Sequence, residues 1–349
     1  MSNLYDHTHG GATPDSAEMI DFSVNISPLF PPLGPLVMEE KELIAYPSID
    51  GSGIRDFYKQ RFGLDSGSVL ATNGAAEGIY LLPRALGLRR VLVSSPSFFE
   101  YERACRIAGA EVLVVRLSAE NGFAMPEFQA LVDSMEGVDA FFAANPNNPT
   151  GTELPPAVVL ALASRFPEKW FIVDEAFIQF TADFPANSLM HEVVAFKNVV
   201  VVHSLTKFYA LPGLRLGAVI AHPEVIGRLL EHKEPWTVNA IAEKVARRLA
   251  GCVEWEESVR EMAALERERI RSESASIERL SLFGGAANFF LARWDGSLDR
   301  LLACLKEQGM PVRDCRNFHG LEGEWFRFAV RRPEENSRLL GALREAPSD

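Results

Sequence analysis

The chain has 349 residues, long for one layered core and suggestive of one large and one small domain. A hydrophobic fraction of 47% and a charged fraction of 23% suit a soluble globular protein; a net charge of -12 argues against a general nucleic-acid binder but leaves room for a local cationic pocket. No run approaches the roughly 18 apolar residues of a membrane span, Met1 to Gly11 lacks a signal-peptide core, and Cys105, Cys252, Cys304 and Cys315 form no CxxC pair, which argues against a zinc site or disulfide framework and fits a reducing cytoplasm.

Residues 1–45 form an arm rich in proline and glycine that cannot bury much on its own and must lie on another surface. It holds Asp21 to Pro28, a short extended piece ending at a proline. His9 and Asn25 could reach a site from it; a solvated loop residue and a turn cap are the plain alternatives. Tyr46 to Gly53 is a turn whose Gly-x-Gly lacks the preceding strand and third glycine of a dinucleotide site. Ile54 to Phe62 follows as an amphipathic helix. Val69 to Thr72 then leads through Asn73-Gly74-Ala75-Ala76-Glu77 into an apolar run: strand, glycine turn, helix N-terminus. Free N–H groups there favour a phosphate, although an ordinary helix start has the same form.

Arg90 to Ser95 is a buried strand, with Phe98, Phe99 and Tyr101 just past its end. Aromatics so placed either stack on a flat heterocycle or fill the core. Further strands are expected over Gly109 to Leu117 and Ala140 to Ala144. The second runs into Asn145 to Gly151, a rigid loop whose amide donors are expected to point outward. Trp170 to Val173 ends in Asp174-Glu175-Ala176-Phe177. A carboxylate at a buried strand end is costly unless paired; a protonated pyridine nitrogen would hold Asp174 ionised, and a capping role is the alternative.

Val199 to Val202 reads as a strand buried on both faces, and it stops abruptly at His203-Ser204-Leu205-Thr206-Lys207. A partly desolvated lysine loses its proton readily and can condense with an aldehyde. Arg215, eight residues on, could return to the same mouth and hold an anion with the Ser204 hydroxyl. Amine and anion site together are what pyridoxal phosphate requires, whereas surface residues flanking a strand would carry the same letters. Each strand in this half ends in polar or aromatic residues, with room for crossover helices between them. That is the pattern of a parallel α/β sheet, whose ligands sit beyond the carboxyl ends of the strands.

Beyond Pro235-Trp236-Thr237-Val238-Asn239, Ala240 to about Arg271 reads as one helix with a solvated charged face. Ala287 to Leu291 is a strand, and Leu298 to Gln308 a helix closed by Gly309. Val312 to Asp314 and Trp325 to Val330 alternate as half-buried strands. In this α+β region Arg313 and Arg327 are candidate anion binders, while Arg331 and Arg332 are expected to face solvent.

Taken together, Asn148-Pro149-Thr150-Gly151, Asp174-Glu175-Ala176-Phe177 and Ser204-Leu205-Thr206-Lys207 with Arg215 downstream resemble the fold-type-I pyridoxal-phosphate enzymes, in the branch of histidinol-phosphate aminotransferase. Within that branch the likeness is strongest to the L-threonine-O-3-phosphate decarboxylases of cobalamin biosynthesis, on His9-Gly10-Gly11, Asp21 to Pro28, Ser204 to Gly217, Val312 to Leu321 and Phe326 to Arg331. The resemblance covers essentially the whole chain. It implies an α/β fold: a large domain (46–235) with a mostly parallel sheet between helices, a smaller α+β domain (236–349), and the arm (1–45) joining the latter. It implies that Lys207 binds the cofactor aldehyde and later moves protons, that Asp174 pairs with the pyridine nitrogen, that Asn148 bonds the ring hydroxyl oxygen, and that Phe98 stacks on the ring. Ala75, Ala76, Ser204 and Arg215 would hold the cofactor phosphate, with Tyr46 supplied by the neighbouring subunit of a homodimer. Arg327 would take the substrate α-carboxylate, and Arg313 the substrate phosphate, with His9 and Asn25 nearby. Many relatives carry tyrosine where this chain has Phe177, which leaves Asn148 more of the task at the ring oxygen. The implied reaction is decarboxylation of threonine O-3-phosphate. An aminotransferase acting on histidinol phosphate or a related amine is the alternative; a catalytically silent binding protein fits less well with Lys207, Asp174 and Asn148 all present.

Overall fold

The computed structural model of the chain describes residue 11 and residues 19–346. Its central feature is a seven-stranded sheet made of β1 (Val69–Asn73), β2 (Arg90–Ser95), β3 (Glu111–Arg116), β4 (Ala140–Ala144), β5 (Trp170–Asp174), β6 (Val199–Ser204) and β7 (Leu216–Ala221), in the order β1-β7-β6-β5-β4-β2-β3. The five strands from β6 to β3 run parallel, whereas β7 is antiparallel to both of its neighbours, β1 and β6. All strands but β7 therefore end on one edge, and β7 begins there.

The parallel strands are apolar throughout because helices cover both faces. Val199, Val200, Val201 and Val202 are all fully buried. One face packs under the helix Gly74–Leu86 through Ile79, Leu82 and Val202. The other packs against the helix Ser52–Phe62 through Phe57, Tyr58 and Val201.

A second sheet comprises β8 (Leu280–Phe283), β9 (Phe289–Trp294), β10 (Arg313–Asp314) and β11 (Trp325–Ala329), in the antiparallel order β10-β11-β9-β8. Four expectations change. The predicted long helix is broken at residues 250–252 into Ala240–Leu249 and Val253–Ser274, where Gly251 follows a completed turn. Its charged side is not all solvated: Glu256, Glu266 and Arg267 are buried. β11 is buried at every position rather than on one face, because helices Leu298–Glu307 and Pro333–Arg344 cover it on one side and the residues around Phe123 on the other. Arg331 is not in open solvent, since it donates to the Asp21 carbonyl and pairs with Glu335. The arm does lie on another surface. It forms no strand among the described residues, but Ile20 and Phe22 donate to the carbonyls of Gly309 and Pro311, and Ala329 donates back to Phe22. No helix among the described residues is long and apolar enough to cross a membrane.

Candidate active site

A cavity of about 540 Å³ opens where the strands end, between the two sheets. Ala75, Ala76, Phe98, Asn148, Asp174, Ser204, Lys207, Arg215, Arg313, Arg327 and Asn25 all line it. Eleven residues from eight separate stretches of sequence thus meet in one place. Of the other candidates, Tyr46 is 83% exposed and does not line this cavity, and His9 lies outside the described residues.

Lys207 follows β6 in a buried turn, whose backbone is pinned by the arm through Ser27 N–H to the Lys207 carbonyl at 2.9 Å. Burial pushes its amine down to about 8, reinforced by the positive charges of Arg327 and Arg215 and opposed by Asp174. A large fraction of the amine is then neutral near pH 8, where an ordinary lysine is almost fully protonated. Asp174 closes β5, nearly inaccessible to water. Burial raises its carboxyl to about 6, against the pull of two hydrogen bonds: Tyr101 Oη–H to Oδ2 and Ala176 N–H to Oδ1, both 2.8 Å. A cation placed beside it would restore full ionisation.

The cradle for an anion is built by close backbone approach. Gly217 sits in register between Thr72 of β1 and Ser204 of β6, and a Cβ there would come within 2.5 Å of the Ala75 nitrogen. Gly74 is left-handed, at φ +73°, and a Cβ on it would strike the Arg215 guanidinium. The two glycines let the helix N-terminus, Ser204 and Arg215 converge, with N–H groups and the positive helix end facing the cavity. Ser204 Oγ and Thr206 Oγ1 bond each other at 2.8 Å, which fixes the hydroxyl at the rim.

The expected outward amides of Asn145 to Gly151 are corrected. Asn145 and Asn147 are buried and bond inward, Asn147 Nδ2 donating to the Pro96 carbonyl at 2.9 Å. Of the three asparagines only Asn148 lines the cavity. Its Oδ1 accepts from Arg327 Nη1, so the amide is left to present its NH2 to the space in front of Asp174. Phe177 is buried and packs edge-on to Phe289 with centroids 5.0 Å apart; it offers no hydroxyl.

Arg327 and Arg313 stand side by side on β11 and β10, paired across the ladder. Neither has a carboxylate partner among the described residues. Arg327 donates to the Ser23 carbonyl at 2.9 Å, and its buried Nε has no partner among the described atoms; burial lowers its guanidinium to about 10. Arg313 bonds Asn317 Oδ1 at 3.0 Å, while its neighbour Asp314 turns away to Arg316. In the same cavity Asn25 is 2% exposed, and neither of its amide atoms has a partner among the described residues. Two cations and an orphaned amide cost several kcal/mol to keep dry without partners, about 1–3 per unsatisfied group, and suit a ligand with two anionic groups. Sequence reading overlooked Tyr101 as the Asp174 partner. Its signal was present in the aromatic run after β2, but that run reads equally as core.

A lysine of lowered basicity, a buried carboxylate across from it and a glycine-opened anion cradle fit pyridoxal phosphate at its aldehyde, ring nitrogen and phosphate. The aminotransferase class I and II family matches residues 44–343. A Caldanaerobacter subterraneus protein, whose name marks its assignment as a threonine-phosphate decarboxylase as provisional, is 37% identical over 98% of this chain and 92% of its own length. The histidinol-phosphate aminotransferase of Clostridium acetobutylicum superposes with a TM-score of 0.87 at 28% identity, covering 94% of this chain and 98% of that one. The L-threonine-O-3-phosphate decarboxylase of Porphyromonas gingivalis does so at 0.79 and 27%, covering 94% and 99%. This chain is a pyridoxal-phosphate-dependent enzyme of fold type I and belongs to the aminotransferase class I and II family.

Proposed function

We propose that the enzyme decarboxylates a phosphorylated amino acid, converting L-threonine O-3-phosphate to (R)-1-aminopropan-2-yl phosphate in cobalamin biosynthesis, as a cytoplasmic homodimer. The carrying observation is the pair of uncompensated buried arginines, Arg327 and Arg313, on the cavity wall. A substrate with a carboxylate and a phosphate satisfies both, and Asn25 supplies donors between them. The 37% identity to the Caldanaerobacter protein supports the same reading.

In this proposal the arm (1–45) and the small domain (236–349) bring substrate-binding residues, His9 included, to a cofactor-binding large domain (46–235). Lys207, Asp174, Asn148, Phe98, Ala75, Ala76, Ser204 and Arg215 hold the cofactor; Tyr46 comes from the neighbouring subunit. Bound there, the cofactor supplies an electron sink for whichever bond at the substrate α-carbon stands perpendicular to its ring. The protein decides which bond that is. If Arg327 holds the carboxylate perpendicular to the ring, CO2 leaves; if it leaves the α-hydrogen perpendicular, amino transfer follows. Arg313 anchors the far end and prevents rotation. Asp174 keeps the positive charge at the ring nitrogen. Lys207 would move the protons, one off the substrate's ammonium and one onto the α-carbon after CO2 leaves.

A second reading is amino transfer from histidinol phosphate or a related amine to a 2-oxo acid, favoured by the higher TM-score of the Clostridium enzyme. Incubating the holoenzyme with L-threonine O-3-phosphate and following CO2 separates the two. Stoichiometric CO2 and aminopropyl phosphate support the proposal. Amino transfer to 2-oxoglutarate without CO2 favours the second reading.

A further inference from the structure

The helix Gly74–Leu86, whose first turn faces the anion cradle, begins without a side-chain cap. Its opening N–H groups have no partner within the helix. Glu77, in that same turn, does not fill them. Its Oε2 reaches back past them and accepts the Asn73 N–H at 2.5 Å. The turn from β1 into the helix is thereby held, and the carboxylate does not occupy the N–H groups of Ala75 and Ala76, which line the cavity. The arrangement has a cost. A carboxylate suits the positive end of an empty helix. Once a phosphate binds at that end, two anions share one turn and repel each other. The Glu77 side chain is only 15% exposed, so water and salt screen it weakly.

Lys233 answers that charge. Almost fully buried, it places Nζ 3.2 Å from Glu77 Oε1, an atom that accepts no hydrogen bond among the described residues. No other cation among the described residues lies within ion-pair distance of Glu77. The ammonium also bonds the Thr237 hydroxyl and, at 3.1 Å, the Glu234 carbonyl. The segment that carries it, residues 231–239, is fastened to both halves of the cradle. Arg84, on the same helix as Glu77, donates to the His232 carbonyl at 2.8 Å. Asn239 Nδ2 donates to the Leu214 carbonyl at 3.3 Å, one residue before Arg215. Lys233 is thus held against Glu77 and outside the cavity, whose lining does not include it.

We propose that Lys233 is a positioning residue for cofactor binding: by neutralising Glu77 it lets the N-terminus of the helix Gly74–Leu86 accept the cofactor phosphate. The inference rests on the phosphate lying in the cradle as proposed above. Titrating each apoprotein with pyridoxal 5'-phosphate and with pyridoxal tests it. Lys233→Met is expected to weaken pyridoxal phosphate about tenfold and pyridoxal about twofold or less, because only the phosphate meets the unbalanced carboxylate. Glu77→Gln keeps an acceptor for the Asn73 N–H and should bind pyridoxal phosphate at least as tightly as the wild type. The double variant E77Q/K233M should return to within about twofold of E77Q, since no carboxylate is left to balance. A lysine that merely fastened the segment would leave the double variant as weak as K233M. Equal loss of both aldehydes in K233M, or a double variant no tighter than K233M, overturns the inference. Should K233M not fold, Lys233→Gln, which keeps a donor for Thr237, is read in its place against the same outcomes. Arg215→Met is the control for the cradle and should itself weaken pyridoxal phosphate selectively. If R215M weakens both aldehydes equally, the cradle reading falls and this inference with it; if R215M is selective and K233M is not, this inference alone falls.

Discussion

The Tyr101 hydroxyl donates to Oδ2 of Asp174 over 2.8 Å, inside a stack in which the Tyr101 ring lies 4.5 Å from that of Phe142. The bond pulls the Asp174 carboxyl down while burial pushes it up. Tyr101→Phe keeps the stack and removes the bond. The carboxyl then titrates at higher pH, and the acid limb of cofactor binding moves upward with it. A hydrogen bond to a charged group contributes about 1.5–3 kcal/mol, so cofactor affinity near pH 7 should fall about tenfold or more. Titrations with pyridoxal phosphate across pH 5 to 8 check both the shift and the loss.

In the proposed role the Lys207 amine, at about 8 in the cofactor-free protein, must be neutral to condense with the cofactor aldehyde. Capture of pyridoxal phosphate, trapped by borohydride, should quicken about tenfold per pH unit below 8 and level off above it. Removing a neighbouring positive charge raises a lysine. Arg327→Met should therefore move the inflection to higher pH, and an inflection that stays put would refute the assigned coupling.

Gly217→Ala places a methyl within 2.5 Å of the Ala75 nitrogen, against backbone that cannot rotate aside. Overpacking of this kind costs about 1–3 kcal/mol. The strain falls on the anion cradle, so affinity for pyridoxal 5'-phosphate should drop more than affinity for pyridoxal. Parallel titrations with the two aldehydes test this.

Arg313→Met leaves the other cavity residues in place and removes one of the two cations on β10 and β11. Under the proposed reaction KM for threonine O-3-phosphate should rise at least about tenfold, with cofactor affinity unchanged. Unphosphorylated threonine, processed poorly by both proteins, should be indifferent to the change.

Glu256 is wholly buried, pairs with Arg61 at 2.7 Å, and accepts from Tyr209 at 2.6 Å, two residues beyond Lys207. Glu256→Ala leaves the half-buried Arg61 guanidinium and the buried Tyr209 hydroxyl without their acceptor and should lower unfolding stability by about 1–3 kcal/mol. Urea denaturation followed by circular dichroism measures it.

The sheet was legible because buried parallel strands are continuous apolar runs, and the valines from 199 to 202 admit no other reading. The strand-end residues followed, since a chain that turns polar just past a buried strand marks the ligand edge. What stayed hidden depends on distant packing. That Asn145 and Asn147 turn inward while Asn148 does not is set by Pro96 and Arg327, far away in sequence. The break at residues 250–252 carries a single glycine, too weak a signal against strong helix formers on both sides. β7 was unmarked because an antiparallel strand within a parallel sheet looks like its neighbours in composition.

That reversed strand has a further effect on how the molecule can vary. The chain leaves the sheet at Ser204 and re-enters at Leu216, one place over, so Ser204, Lys207 and Arg215 sit on a single excursion tethered at both ends. Lengthening or shortening it by one residue would displace the Lys207 amine and the Arg215 guanidinium together. Natural variation in this stretch must therefore proceed by substitution, and a laboratory graft of it must be exchanged whole.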